Sequence, residues 1–491
     1  MSFNRFTILA GFLVITWQTH AQNFMGISQS NYAGTNSVYV NPALLADSRY
    51  KFYINLGAVN VNVFNNYAKW VGPYKLTRLF LGGIPKQYQN SDGSPALQPT
   101  YFKEILDGKT KNGTSSAEVR GPGVLFSVGN NHTFAVTTRA RASLQAYGFS
   151  ENMLSLIRQG LDLATLWNIT NVDNRFSANG NAYGEVALSY ASTLIDAGKH
   201  YLKGGITAKR LVGFYSAHIR NRELSYRVIE DPQNPGKGLL VLDKMDADFG
   251  YTLQNFTKDG LSPGKFLGHK MPGLGWGFDA GLVYEFRPIV NGYLDEKTGK
   301  PDVESNKYKI RVSASLMDVG TIRYEDPALI KGYTINRSGK TIREDDFNDV
   351  KGSDELVRLI EDKLDLQASE AKNHFVSGLP MALNTNIDFR LGEEFCINVA
   401  YIRDLRSISS ISMRQPTIFA ITPRIESEVG IEIAVPLTWV YNTFSPGVSV
   451  KIGPVFAGTD NLIGLFGATK MMVPQGLDVY AGISVPIYRR N

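Results

Sequence analysis

The feature that most limits how this chain can fold is a two-residue alternation of apolar and polar side chains, repeated in runs of nine or more residues. In 132–147 the even positions carry Phe134, Val136, Ala140, Ala142 and Leu144, and the odd ones Thr133, Thr137, Arg139, Arg141, Ser143 and Gln145. In 182–194, Val186, Leu188, Tyr190 and Leu194 oppose Glu185, Ser189 and Thr193; in 276–286, Trp276, Phe278, Leu282 and Tyr284 oppose Asp279 and Glu285. The pattern recurs in 308–316 (Tyr308, Ile310 and Val312 against Lys309, Arg311 and Ser313), in 383–391 (Ile387 and Phe389 against Asp388 and Arg390) and in 477–487. Successive side chains of a strand point to opposite faces, so each run is a strand with one apolar and one polar side. Their length matches the ~9–11 residues of a tilted membrane-crossing strand. With the run after Arg49 and weaker runs at 121–129, 199–214, 238–251, 395–403, 425–435 and 448–452, the count reaches about fourteen, an even number as such barrels use. The expected fold is all-β: a closed antiparallel transmembrane barrel of about 14 strands.

Residues 1–21 read as a secretory signal, with Arg5 as the basic start, an apolar stretch from Phe6 to Trp17, and Thr19-His20-Ala21 before the cut. The rest divides into a segment 22–48 and a barrel 49–491. The apolar stretch of the signal falls short of the ~20 residues of a spanning helix, and there is no other long apolar run. The single cysteine, Cys396, rules out an intramolecular disulfide and a thiolate metal cluster. A formal net charge of +6 spread along the chain does not make a nucleic-acid surface.

Connections alternate between tight and long. Turns at 129–131, 196–198 and 392–394 would face the periplasm, and 65–118, 148–177, 288–306 and 325–378 would face outward. Two of the long ones carry helical patterns. Ser150 precedes Leu154, Ile157 and Leu161, and Ser353 precedes Leu356, Leu359, Ile360 and Leu364.

Ahead of the first strand, Pro42 favours a helical turn that Asn41 would cap. In the strand itself the apolar positions change phase at Gly57, as a β-bulge would make them. Asn41-Pro42-Ala43-Leu44-Leu45-Ala46 resembles the "NPA-x-LA" segment of FadL-type outer-membrane barrels and of PorV- and PorP-like relatives in Bacteroidota, including a related family of unknown function. Asp318-Val319-Gly320-Thr321-Ile322-Arg323-Tyr324, Leu379-Pro380 and the stretch from Gly453 to Gly464 are similar to other segments of those relatives. The resemblance implies a barrel in the outer membrane of a Gram-negative bacterium, with Asn41, Pro42, Ala43, Leu44 and Leu45 in a plug or gate. One departure is the end of the chain: Tyr488 is followed by Arg489-Arg490-Asn491 where many such barrels end on an aromatic residue.

The sequence offers no catalytic constellation and is read as a non-enzyme without cofactor or metal. The six histidines are scattered, and His132 and His200 fall at strand starts, as interfacial histidines do. The glycines of 273–277 lead into a strand, so they lack the helix N-terminus that a phosphate loop needs. Asp243, Asp246 and Asp248 form no calcium-loop pattern and read as exposed loop acids. The polar faces place Arg139, Arg141, Glu185, Asp279, Glu285, Arg311, Asp388 and Arg390 in the lumen, together with Lys203, Lys209, Lys309, Glu432, Lys451 and Asp478. Charges of both signs in one tube brace its walls by pairing, or line a polar path; neither sign dominates, so they do not form a selective ring. By resemblance, two functions are expected. The first is passive passage of a hydrophobic or amphipathic small molecule. The second is a non-catalytic scaffold for a type IX secretion or gliding protein. The barrel would be monomeric, in contact with outer-membrane lipid, and would bind no nucleic acid.

Overall fold

The computed structural model describes residues 24–489, apart from 254–270, 290–305 and the short pieces 130, 173, 349, 351–352, 409, 428–429 and 468–472. The signal expected at 1–21 lies outside the described residues. Fourteen antiparallel strands form the wall. They are β1 (Tyr50–Asn65), β2 (Lys111–Val128), β3 (His132–Phe149), β4 (Ser177–Ala197), β5 (His200–Asp231), β6 (Gly273–Phe286) and β7 (Ile310–Glu325). The circuit continues through β8 (Ala382–Arg390), β9 (Phe395–Asp404) and β10 (Ile418–Glu426). Next come β11 (Ile431–Ala434 and Leu437–Val440), β12 (Thr443–Pro446 and Val448–Ile452), β13 (Val455–Thr459) and β14 (Gly476–Tyr488). β1 pairs with both β2 and β14, which closes the ring and leaves no edge. β11 and β12 are broken side by side at Pro436, which has no N–H to give, and at Gly447.

The alternation resolves as lipid outside and charge inside. Ile206, Leu188, Trp276, Phe278 and Leu282 are all more than half exposed on the outer surface, whereas Glu185, Lys209, Asp279 and Asp388 are buried. Among the described residues no helix is long and apolar enough to cross a membrane; the strands do that. β1 slips by one residue against β14 between Asn55 and Gly57, the bulge expected there. After it Ala58 turns inward with Asn60 and Asn62, while Val59 stays outside.

Three expectations change. The run 238–251 is not a wall strand: Asn234–Thr252 folds back on the far part of β5 and, with Ile330–Arg337 and Lys340–Arg343, builds a sheet beyond the barrel rim. The count is kept because 425–435 contains a turn between two wall strands, β10 and β11, and because 455–459 adds β13. The long connection 288–306 starts and ends at the end that holds the tight turns, where Phe286 pairs with Ile310, and not at the end where the other long connections begin. Its residues 290–305 lie outside the described ones. Finally, the alternation is out of phase at the start of β7: Tyr308 is buried and Lys309 is exposed.

Beyond the loop end of the barrel, a second core joins the extra sheet to two helices. Phe149, Met153, Leu156, Tyr226, Leu242, Phe249 and Ile335 pack together there. Ser150 caps the helix Glu151–Gln159 by accepting from the Met153 N–H at 3.3 Å. Ser353 is itself the first residue of the second helix, Ser353–Lys363. Glu104 ties the first long loop to this layer, accepting from Arg158 at 2.6 Å and from the Tyr67 hydroxyl at 2.5 Å. Burial raises its pKa, but Arg158 and Tyr67 outweigh that and hold the carboxyl below its ordinary range. Asp243, Asp246 and Asp248 pair with Arg227, Arg222 and Arg220 on this sheet. His132 and His200 sit exposed at the turn end beside the Tyr190 and Tyr284 hydroxyls, at 2.9 and 2.7 Å.

Ile206 stands about midway across β5's membrane part, so Ile206→Arg is expected to destabilise the barrel by about 2–4 kcal/mol in lipid. Urea titration of the protein refolded into vesicles measures this, with Lys237→Arg, beyond the rim, as the neutral control.

Candidate functional site

The lumen is occupied by residues 24–47. Asn41 caps a short 3-10 turn, Pro42–Leu45, accepting from the Ala43 N–H at 2.9 Å, as expected. Its amide also donates to the backbone carbonyls of Leu282 on β6 and Ala314 on β7, at 3.1 and 3.2 Å. This turn is seated against wall backbone because two wall residues have no side chain. Gly205 on β5 and Gly281 on β6 are cross-strand partners. A Cβ on Gly281 would stand 2.0 Å from Asn41 Oδ1, and one on Gly205 would stand 2.5 Å from the Ala43 nitrogen. Leu45 is buried among Tyr50, Tyr53, Leu125 and Ala191, while Leu44 is only half-buried and faces a cavity.

From there the segment runs along the inside and touches strands all round the ring. Val40's carbonyl accepts from Ser315 at 2.6 Å and from Asn384 at 3.0 Å. Asn36 accepts from Arg120 at 2.8 Å. Asn31 donates to Glu426 and accepts from Arg311, at 2.7 and 2.6 Å, and Tyr32's carbonyl accepts from Lys451. The Met25 N–H donates to Asp460 at 3.1 Å. Arg120 lies over the rings of Phe24 and Tyr39, at 3.7 and 4.3 Å.

Around the segment, the wall's charges pair mainly with one another. Arg139 bridges Glu118 (3.1 Å) and Glu185 (2.8 Å), and Glu118 also holds Arg120 (2.5 Å). Asp318 takes Arg141 (2.7 Å) and Lys209 (2.5 Å), and Lys209 reaches Asp279 (2.8 Å). Asp388 takes Arg311 (2.7 Å) and Arg424 (2.6 Å), and Arg424 also pairs with Glu426 (2.6 Å). Glu285 pairs with Lys203 (2.6 Å) and Arg287 (2.5 Å). Glu432, Lys451 and Asp478 are buried in the lumen as expected. Arg390 is not: it ends β8 at the turn-end rim and donates to the carbonyls of Gly392 and Asn306. Lys309, exposed, is likewise outside.

Glu118, Arg120, Asp318, Arg424 and Glu426 escape the sequence reading. Asp318 is hidden by a bulge: the β6–β7 register slips after Leu316, and Asp318 takes the left-handed φ of +54°. The motif around Asp318 marked the place without giving its direction. Glu118 and Arg120 lie just ahead of a weak run, at the edge of an assumed loop. The glycines are a signal that could have been found, since Gly204-Gly205 and Gly281 interrupt two alternating runs.

A second element closes the loop end. Residues 405–417, between β9 and β10, reach across to β3, half the ring away. The Arg414 N–H donates to Gln145 Oε1 at 2.7 Å, and Gln145 Nε2 donates to the Arg414 carbonyl at 2.5 Å. Tyr147 and Tyr441 hydroxyls meet beside them at 2.6 Å.

A closed fourteen-strand barrel with an apolar exterior and an ion-paired, occupied lumen is a membrane-spanning barrel. The chain belongs to a family of unknown function, DUF5723, whose family model matches residues 42–460. No curated protein matches it significantly. Among solved structures it is similar to the toluene transporter TodX of P. putida, at 8% identity over 94% of this chain and 95% of that one, with a TM-score of 0.40. It is also similar to the toluene transporter TbuX of Ralstonia pickettii, at 11% identity over 93% and 94%, TM-score 0.37. A third is a FadL homologue of Pseudomonas aeruginosa, at 11% identity over 95% and 96%, TM-score 0.31. The barrel itself rests on this chain's own strand pairing.

Arg120→Gln is expected to cost about 3–5 kcal/mol, because it leaves Glu118 short of a partner in a buried site; heat-modified gel migration and chemical unfolding read it. Gly281→Ala is expected to leave the wall folded but to unseat Asn41, so that protease added from the turn end cuts within 24–47.

Proposed function

We propose that this protein is a transport barrel of a Gram-negative outer membrane, in which residues 24–47 are a movable plug and the passenger is a hydrophobic or amphipathic small molecule. One observation carries the reading: residues 24–46 contain no charged side chain, although they sit in a lumen full of them. The segment touches wall charges through amides, carbonyls and rings, and most of those charges, Arg120, Arg311 and Glu426 among them, are already paired with other wall charges, whereas Lys451 and Asp460 are met by the segment's own Tyr32 carbonyl and Met25 N–H. Its departure therefore strands no segment charge in the lumen and leaves most wall pairs whole. An ion pair across that boundary would be costly to break; this boundary has one, at Asp47, where the segment joins the wall.

The inner wall that the segment covers is not uniformly polar. Met25 packs on Phe64, Ala382, Ala400, Ile402, Ile418 and Val440 towards the loop end, while the ion pairs lie below. Withdrawal of the segment would uncover an apolar strip above a charged floor, a surface suited to an amphipathic molecule. The filled lumen is equally what a barrel serving only as a scaffold for a partner protein would have, so the test must discriminate.

A variant lacking residues 22–46, reconstituted in a planar bilayer, is expected to conduct where the full protein is silent, and more so when Gln145→Ala also frees the loop-end closure. Vesicles carrying it should take up a fluorescent fatty acid faster than those with the full protein. A folded deletion barrel that neither conducts nor takes up the tracer rules out transport by plug movement and leaves the scaffold.

A further inference from the structure

At the turn end the segment's root borders a cavity of about 80 Å³. Water needs roughly 10–15 Å³ of such space, so the cavity has room for several waters or a small polyatomic ion, and not for an alkyl chain. Its charge is one-sided. The basic side chains lining it are Arg49, Lys203, Arg287, Lys307 and Arg311, and the acidic ones are Asp47 and Glu285. Glu285 is engaged on both oxygens, by Lys203 and by Arg287. Asp47 holds Arg287 at 2.7 Å and stands 3.9 Å from Lys307. It does so from a left-handed backbone, φ +55°, unusual for a residue other than glycine. Arg287 is fixed from its other side by the Tyr201 ring, 3.6 Å below the guanidinium. Arg311 is held from behind by Asp388 at 2.7 Å, which leaves Arg49, Lys203, Arg287 and Lys307 against Asp47 and Glu285; such an excess of cations around a small wet space favours an anion, and guanidinium groups match the oxygens of phosphate or carboxylate.

We propose that this cavity is a binding site for a small oxyanion, phosphate or carboxylate, and that the anion competes with the Asp47 carboxylate for Arg287 and Lys307. Asp47 is the sole charged residue of 24–47, so an anion that replaces it removes the segment's one ionic tie to the wall. That consequence rests on the plug reading above; the binding does not. A free anion and a lipid headgroup phosphate share this chemistry.

The test is calorimetric titration of the refolded full-length barrel in neutral detergent with orthophosphate, then acetate, then detergent-dispersed phosphatidylglycerol. Saturable binding of one of them is expected, about tenfold weaker in Arg287→Gln and in Lys307→Gln, and tighter in Asp47→Asn, where the competitor is gone. Heat-modified gel migration confirms that each variant is folded. Whichever probe binds identifies the source. No saturable binding in the native and Asp47→Asn proteins, or binding indifferent to all three substitutions, overturns the site. Because conduction is not measured, failure here leaves the transport reading untouched, and failure of transport leaves this site standing.

Discussion

A charge that faces lipid is expelled, and a charge that faces the inside of a narrow tube must find its opposite there. The rest of this structure follows from that constraint. Fourteen strands send their polar positions into one enclosed space, and the wall's carboxylates meet its cations there, within a strand, between neighbours and across the lumen: Glu118 with Arg120 and Arg139, Asp388 with Arg311 and Arg424, Asp318 with Lys209 and Arg141. Pairs of this kind are weak as a source of net stability and strong as a condition on it, since loss of one partner is far worse than loss of both. They fix register as well. A one-residue slip would turn Arg139 and Glu185 into the bilayer together with every other inward residue of their strands.

The bulges are where that condition is met locally. At β1 the slip after Asn55 lets Asn60 and Asn62 both face Asp478, to which they donate at 3.0 and 3.1 Å. At β7 the slip after Leu316 carries Asp318 inward, where its backbone N–H donates to Asp279 and its carboxylate completes the Lys209 and Arg141 pairs. A regular strand would have left one of these acids in lipid. Irregularity in the wall is thus a means by which its buried acids find hydrogen-bond donors and cations.

This explains how far the sequence could be read. The period of two is enforced by lipid and lumen alike, so strand type, an outside apolar face, and most lumen charges were legible, Arg139, Glu185, Asp279 and Arg311 among them. The bulge at Gly57 was legible because apolar residues changed phase there. That at Met317–Asp318 was not, because the even positions stay apolar through it: Val312 and Leu316 face lipid, whereas Ile322 and Tyr324 after the slip are buried inside. Strand membership failed where a strand lies outside the membrane: 238–251 alternates in part, as the weaker wall strands do, since the sheet beyond the rim also has a core face and a water face. The segment's turn at Pro42 follows from local rules, but its seat does not. That seat depends on two glycines more than 150 residues away, Gly205 and Gly281, being cross-strand partners. No local pattern reports that pairing.

The uncharged character of 24–46 also bears on assembly. Several of the wall's ion pairs, Arg139–Glu185, Lys203–Glu285 and Arg311–Asp388 among them, link adjacent strands, so these can form as the barrel closes, before anything occupies the lumen. The segment then enters a tube that is already neutral in its pairs, offering amides to leftover donors: Asn36 to Arg120, Asn31 to Arg311 and the Val40 carbonyl to Ser315 and Asn384. A segment with its own lysines or glutamates would compete with the wall during closure and could trap mispaired strands. Leaving its single charge, Asp47, at the rim places the one ionic contact where water still reaches and where exchange of partners is cheapest.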